Sequence, residues 1–321
     1  MRKWIYKFNS FKCFFNRSGR LLAIIYFLLI LCMNQQLYAD EANSSFLGID
    51  VDARGNAMGG AQGTITGNIY SVYWNPAGLS EVLFKEVGAT YNRMFQDINY
   101  SFIGYAMPTD FYGTLALQIF YLGSGAITST YENLDGSFAG AGKSFSVTDM
   151  GFGVSQSKAI TENLAYGVNV KIISHKIMDK SAFDLAGDAG VIYHPPVNGL
   201  KFGFALRNLS TMYSFLNSKF REPWNLKFAS SYELTNIPLT LAADYNVVAA
   251  QKDTLNVGAE YWIYDIVALR TGMRLPSPSG FLSSLSIGMG FNLLDLYQFD
   301  YSLSPNSAIG ITQRFSLIVR F

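Results

Sequence analysis

Two short motifs contain residue types that in other proteins bind phosphate or supply a nucleophile. The run GKS at 142–144 ends like a phosphate-binding loop, but the first glycine of that motif would fall on Ser137. Ser155 and Lys158 have the spacing of a serine–lysine pair, yet alternation along a strand places them on opposite faces. Neither motif therefore predicts nucleotide binding or catalysis.

The histidines and cysteines are too few and too scattered for a recognisable reactive centre. A Ser-His-Asp hydrolase would have to use His175 or His194, and no G-x-S-x-G sequence accompanies either. We expect both histidines to be structural or solvated. Cys13 and Cys32 lie within the first 39 residues, so the chain beyond them has no thiolate. The sequence predicts no enzyme, no cofactor and no metal.

The pattern that dominates the chain is alternation of apolar and polar residues. A period of two is typical of β-strands, whose successive side chains point to opposite faces. Fourteen segments show it: 84–95, 98–108, 112–122, 145–158, 163–175, 182–194, 199–209, 224–235, 237–247, 252–263, 264–275, 279–293, 295–304 and 307–321. Each has about ten residues or more, which is the length of a tilted membrane strand, whereas globular strands average about five or six.

An even number of long strands predicts an all-β fold, a closed transmembrane antiparallel barrel over residues 84–321. The two longest gaps, 123–144 and 210–223, follow the third and seventh strands, and the turns after even-numbered strands are short. That parity is expected of a barrel whose amino terminus is periplasmic. The alternative is a secreted β-sandwich, whose exposed face would carry many Lys, Glu and Thr.

Charges of both signs lie on the face of these strands that we assign to the lumen. The inward set comprises Lys171, Lys201, Arg207, Lys227, Arg270, Arg274 and Arg314 with Asp184, Asp188, Glu233, Asp244, Glu260 and Asp300. Such charges are tolerated only when they are paired or hydrated. Because the signs nearly balance, we expect ion pairs across the lumen and no ring of one sign.

Both ends of the chain carry features of export to the outer membrane. Residues 1–20 hold six basic residues and no acid, 21–33 are apolar, and Ala39 ends a small-residue cleavage site, so 1–39 are predicted to be a signal peptide. At the other end an apolar ladder in the last strand stops on Phe321. This is similar to the signal read by barrel assembly machinery. The net charge of +1 argues against nucleic acid.

Residues 40–83 precede the first strand and do not alternate. Asn75 followed by Pro76 suits a helix N-cap with proline at the first position, and Gly78 is expected to end that helix soon afterwards. A compact piece of about this length before the first strand predicts a plug inside the wall.

The stretches ARGNAMGGA (53–61) and YWNPAGLS (73–80) resemble the PorV/PorQ-like proteins within the FadL superfamily of outer-membrane transporters. The resemblance continues in FALRNLS (204–210), LTLAADYNV (239–247) and VGAEYWIYDIVALRTGMR (257–274). It implies a 14-stranded barrel with an amino-terminal plug. It also implies that Asn75, Pro76, Ala77 and Gly78 sit in the plug and shape the path through the lumen.

The resemblance allows two functions, and the composition allows a third. FadL-like members pass hydrophobic molecules such as long-chain fatty acids without energy input. PorV-like members bind the C-terminal domains of secreted proteins at the cell surface in type IX secretion. A purely porin-like role would give an open conductance. The expected partners are outer-membrane lipid, the barrel assembly machinery, and either a hydrophobic small molecule or a secreted protein.

Overall fold

The structure is a computed structural model, and it describes residues 46–94, 97–215, 218–277, 280–306 and 310–321. The predicted signal peptide, residues 1–39, lies outside the described residues, as do the first residues of the predicted plug. Among the residues described, no helix is both long and apolar enough to cross a bilayer.

The described residues form eighteen strands, and fourteen of these close into an antiparallel barrel. They are β1 (Glu86–Arg93), β2 (Asn99–Thr109), β3 (Gly113–Gly123), β4 (Ile127–Glu132), β5 (Phe138–Phe145), β6 (Val147–Thr161), β7 (Leu164–Ile177), β8 (Lys180–Tyr193), β9 (Leu200–Ser210), β10 (Met212–Phe215), β11 (Ser218–Arg221), β12 (Asn225–Glu233), β13 (Leu239–Val248), β14 (Thr254–Ile263), β15 (Val267–Leu275), β16 (Leu285–Leu293), β17 (Tyr297–Asn306) and β18 (Gly310–Arg320). Each barrel strand pairs with the next one, and β1 pairs with β18. The predicted barrel is confirmed and the sandwich is excluded.

The other four strands form two hairpins, β4–β5 and β10–β11, inside the two long gaps that we predicted to be loops. Neither is part of the barrel wall. Most side chains of β4 and β5 are exposed on both faces, so they lack the one-sided apolar pattern that marks a barrel strand. We call this end of the barrel the long-loop side and the opposite end the short-turn side.

One strand begins later than the alternation predicts. The twelfth segment was expected to span 279–293, but β16 begins at Leu285. Phe281–Ser284 instead form a turn of 3₁₀-helix, whose Ser284 hydroxyl donates to the carbonyl of Phe281 at 2.6 Å. A serine that caps its own turn competes with the strand ladder.

The outer face of the wall is apolar, and the inner face is polar. On β3, Leu117, Ile119 and Tyr121 are 42–47% exposed, whereas the intervening Gln118 is 3% exposed. The same reversal runs along the last strand, where Phe315 is exposed and Ser316 is buried. An apolar belt on the outside is what the hydrocarbon of a bilayer requires.

The described chain before β1, Phe46–Val82, is called the N-terminal segment. It contains a 3₁₀ turn (Phe46–Gly48), α1 (Ala53–Ala57), α2 (Ser71–Trp74) and a 3₁₀-helix (Pro76–Glu81). Helix α1 packs on β15 to β18, and the 3₁₀-helix packs on β3, β6, β7 and β8 on the far side of the wall. The N-terminal segment therefore lies within the barrel.

Paired glycines let the wall approach the N-terminal segment closely. Glycines on neighbouring strands stand opposite each other at three places: Gly88 and Gly104 against Ile69, Gly167 and Gly190 against the Asn75–Pro76 turn, and Gly258 and Gly272 against Met58. A Cβ atom at any of the six would overlap the N-terminal segment. Glycine within a strand marks such a close backbone approach.

Replacing Gly190 by alanine tests this packing. The added Cβ would collide with the Asn75 side chain, whereas a Cβ at Gly187 on the same strand would meet only the carbonyl of Asn169 at 3.7 Å. We expect Gly190→Ala to destabilise the protein by about 1–3 kcal/mol and to raise ion conductance in planar bilayers. Gly187→Ala is the matched control. Equal conductance and stability in both variants would contradict the packing.

Candidate functional site

The predicted turn at residues 75–78 lies inside the barrel against β7 and β8, and it is buried. Asn75 ends α2 and caps the 3₁₀-helix: its Oδ1 accepts from the amide of Ala77 at 3.1 Å, and Pro76 occupies the first helical position. The Asn75 Nδ2 donates to the carbonyls of Gly63 at 3.1 Å and Val191 at 3.2 Å. One amide side chain therefore joins the turn, the N-terminal segment and the wall.

Gly78 does not end the helix, contrary to our expectation. The 3₁₀-helix continues to Glu81, and Gly78 lies inside it against Thr66 and Ser71. A side chain here would overlap the Thr66 methyl group. The glycine therefore serves close packing between two parts of the N-terminal segment.

Glu260 is the centre of the largest buried charge cluster. It accepts from the guanidinium of Arg54 in α1 at 2.6 and 2.8 Å and from Arg270 Nε at 2.6 Å. Arg270 Nη1 continues to Asp300 at 2.6 Å. The carboxylates and Arg270 have at most 2% of their side chains exposed. The cluster ties α1 to three strands of the wall.

A second cluster is built on a β-bulge. Strands β8 and β9 lose register after Gly187, and Asn208 adopts a left-handed backbone conformation with φ of 58°. The displaced Asn208 amide donates to Asp188 Oδ1 at 2.7 Å, and the same oxygen accepts from Lys171 Nζ at 2.9 Å. Lys171 also donates to Asn208 Oδ1 at 2.7 Å. Bulges redirect side chains in this way near functional sites.

Two further pairs hold the N-terminal segment against β12–β15. Lys227 Nζ donates to Asp244 at 2.7 Å, and the same Asp244 oxygen accepts from the amides of Gln62 and Gly63. Arg274 donates to Asp50 at 3.0 Å. Burial works to raise the pKa of Asp50, but the guanidinium groups of Arg274 and Arg314 and the amide of Asn56 together outweigh it and hold that pKa below its ordinary value.

These contacts differ from the expected pairs across an open lumen. Each pair joins strands one or two apart in the sheet, or joins the wall to the N-terminal segment, because that segment occupies the space between opposite walls. Within the described residues Asp184 makes no ion pair with Lys or Arg. Glu233 has the same alternation parity in β12 as the buried Lys227 and Ser231, and it lies exposed at the strand end.

Two cavities open on the long-loop side of the N-terminal segment. The first, about 310 Å³, is polar and rich in cations. Its basic residues are Arg207, Lys227, Lys252 and Arg274, against the single carboxylate of Asp50. Arg207 lies over the ring of Tyr73 at 4.0 Å, and no described carboxylate pairs with it. This cavity can accept an anionic group.

The second cavity, about 240 Å³, is lined mainly by aromatic and apolar side chains beneath the β10–β11 hairpin. The N-terminal segment contributes Phe46 and the hairpin contributes Tyr213, Phe215 and Phe220. Pro223 lines both cavities, so they are adjacent. The aromatic residues of the hairpin lie in a segment predicted to be a loop, so no ligand role was predicted for them. The alternation of Tyr213 and Phe215 was the available signal.

Phe321 lies at the short-turn side, on the outer face. Its amide donates to the carbonyl of Lys85 at 2.9 Å, and its ring stacks on Tyr105 with centroids 6.4 Å apart. The ring is therefore accessible from the membrane side, while the backbone closes the last strand onto the first. Its role as an assembly signal stays a prediction.

No protein-family model and no curated protein sequence matches this chain. Several solved structures do. The Pseudomonas putida toluene transporter TodX has a TM-score of 0.63 and 12% identity, covering 84% of this chain and 98% of that one. The CymD monoaromatic hydrocarbon channel has a TM-score of 0.63 and 13% identity over 86% and 99% of the two chains. A Pseudomonas aeruginosa FadL homologue has a TM-score of 0.54 and 13% identity over 84% and 97%.

These likenesses establish the fold. The chain is a closed 14-stranded barrel similar in fold to these structures, two of which are named as a toluene transporter and a monoaromatic hydrocarbon channel. The particular resemblance to PorV and PorQ proteins stays a prediction.

Glu260→Gln tests the central charge cluster. The change leaves two buried guanidinium groups with one carboxylate fewer, and we expect a loss of about 3–5 kcal/mol in the free energy of unfolding. Asp179→Asn is the control, since its pair with Lys180 is exposed, and it should have no measurable effect. Denaturant titration followed by gel mobility of the folded barrel measures both. An unchanged Glu260→Gln midpoint would mean that the cluster contributes no stability.

Proposed function

We propose that this protein is an outer-membrane transporter that admits hydrophobic small molecules without energy input. The observation that carries the proposal is the aromatic cavity of about 240 Å³ between the β10–β11 hairpin and Phe46, in a barrel with the fold of hydrocarbon transporters. Apolar pockets that offer a few polar groups are the usual sites for small hydrophobic ligands. The lumen of an ordinary porin would be open and polar.

The route we propose starts at the aromatic cavity and continues into the adjacent cationic cavity. Beyond it the lumen is filled by the N-terminal segment, so a ligand passes only if part of that segment moves. The pair between Asp50 and Arg274 borders the cationic cavity. The side chain of Arg274 is 43% exposed, whereas that of Lys227 in the neighbouring pair is 2% exposed. Exposed pairs contribute less to stability than buried ones. We therefore expect movement to begin at this pair.

The chemistry of the two cavities favours a molecule with an apolar body and an anionic end. The aromatic cavity fits a hydrocarbon chain, and the unpaired guanidinium of Arg207 in the next cavity fits a carboxylate. Long-chain fatty acids combine an apolar chain with an anionic carboxylate. Neutral hydrocarbons have the apolar body but no anionic end.

Phe46→Ala tests the aromatic cavity. Removal of the ring leaves the cavity wider and its floor less apolar, so uptake of radiolabelled oleate by whole cells should fall several-fold. Phe138→Ala in the exposed β5 strand removes an equally large ring outside the cavity and should leave uptake unchanged. Wild-type uptake equal to that of cells lacking the protein would refute transport.

Arg207→Met separates acids from neutral hydrocarbons. We expect several-fold slower uptake of oleate and an unchanged rate for toluene, because only the acid uses the guanidinium. Lys143→Met on the exposed hairpin is the charge-matched control. A parallel loss for both compounds would assign Arg207 to the structure of the lumen and would remove the case for acids.

A second candidate, a surface scaffold for secreted proteins, draws on one observation. The β4–β5 hairpin exposes Tyr131, Leu134 and Phe138 away from the barrel on the long-loop side. Purification of the protein from a detergent extract distinguishes the two candidates. A secreted protein that co-purifies in stoichiometric amount and contacts this hairpin favours the scaffold, whereas bound fatty acid favours transport.

A further inference from the structure

Three ligand-type side chains converge at the long-loop side of the lumen. His175 on β7, Asp184 on β8 and Glu222 directly after β11 offer atoms that all lie within 4.8 Å of one another. All three residues are buried, with 8%, 3% and 4% exposure. They come from three separate elements, and sequence analysis left both His175 and this part of the chain without a ligand role.

The His175 ring is oriented so that one nitrogen faces the other two residues. Its Nδ1 lies 2.9 Å from Asp149 Oδ1, and the ring stacks on Tyr213 with centroids 4.5 Å apart. Because a carboxylate accepts, Nδ1 carries a proton, and in the neutral ring Nε2 then presents a lone pair. That Nε2 is buried without a hydrogen-bond partner and lies 3.8 Å from Glu222 Oε1.

Asp184, like His175, has one side-chain atom in a hydrogen bond and one without a partner. The Thr211 hydroxyl donates to its Oδ1 at 2.7 Å, whereas its Oδ2 is buried and has no partner. No described Lys or Arg makes an ion pair with it. Asp149 and Glu222 add further negative charge around the same histidine. A buried carboxylate in such surroundings is costly unless a cation balances it.

We propose that His175, Asp184 and Glu222 bind a divalent transition-metal ion of the zinc class. Zinc takes imidazole nitrogen and carboxylate oxygen at about 2.0–2.2 Å, and sites with three protein ligands leave the fourth position to water or another ligand. Asp149 then completes a carboxylate–histidine–metal arrangement, in which the second carboxylate orients the ring. Calcium and magnesium prefer oxygen alone. Ligand atoms at these distances from one ion lie about 3.4 Å apart in a tetrahedron, so the three groups, which lie within 4.8 Å of one another, reach an ion by small side-chain rotations.

The ion would fasten the β10–β11 hairpin to the wall. His175 and Asp184 belong to the barrel, whereas Glu222 follows the hairpin directly and lines the aromatic cavity beneath it. Binding of the ion therefore joins the segment that follows the β10–β11 hairpin to strands β7 and β8. The proposed metal site does not depend on whether the aromatic cavity binds a fatty acid. A test of metal binding can therefore fail or succeed independently of the test of transport.

Zinc titration of the detergent-purified protein, carrying an affinity tag without histidine, tests the site by calorimetry. We expect one ion per chain, bound at least 100-fold more tightly than calcium or magnesium, and loss of that ion in His175→Ala and Asp184→Asn. His194→Ala is the matched control, because His194 contacts Glu81 at the short-turn side, and it should bind as the wild type does. No stoichiometric zinc in the wild-type protein, or equal affinity in His175→Ala, would overturn the proposal.

Asp149→Asn tests the positioning role of the second carboxylate. Loss of such a partner typically weakens metal binding by about 10–100-fold, and the visible absorption of bound cobalt should shift as the ring loses its orientation. An unchanged spectrum and affinity would remove Asp149 from the site.

Trypsin digestion tests the fastening. Lys219 and Arg221 on β11 are exposed, and zinc should slow cleavage at both by several-fold in the wild type but not in His175→Ala. Cleavage at the exposed Lys180 reports general effects of zinc on the protease. Equal protection in the two proteins would overturn the fastening.

Discussion

The bilayer outside the wall controls the rest of this molecule. Because lipid accepts only apolar side chains, the charged and amide side chains in the middle of the strands point inward, where water is scarce. A buried charge such as Glu260 or Asp244 then needs a partner. The N-terminal segment supplies several of these partners through Arg54 and its backbone amides. The filled interior is therefore a structural consequence of a charged inner face as much as a barrier to passage.

Most of the fold could be predicted from the alternation of apolar and polar side chains along the strands. All fourteen barrel strands were predicted, with bounds correct to within a few residues except at the start of β16, because each has one face in contact with lipid and therefore a period of two. The β4–β5 hairpin was missed because both of its faces are exposed. Local chemistry also predicted the Asn75 cap, since a cap depends only on residues close in the chain.

The candidate sites depend on contacts that no local pattern reports. The bulge at Asn208 arises from a mismatch between two strands, and the sequence on either side shows no sign of it. His175, Asp184 and Glu222 are brought together only by barrel closure and by the connection that follows β11. Pairing of the lumenal charges was predictable from their balance. Their individual partners were not, because these depend on where the N-terminal segment lies.

The N-terminal segment begins beside the long-loop mouth, where Phe46 lies near His175, and it leads into β1 at the opposite end. The polypeptide thus threads the whole ring before it starts to form the wall. The seam between β1 and β18 joins the first and last strands. The cylinder closes only where the last strand meets the first, and it encloses a segment that precedes every strand in the chain.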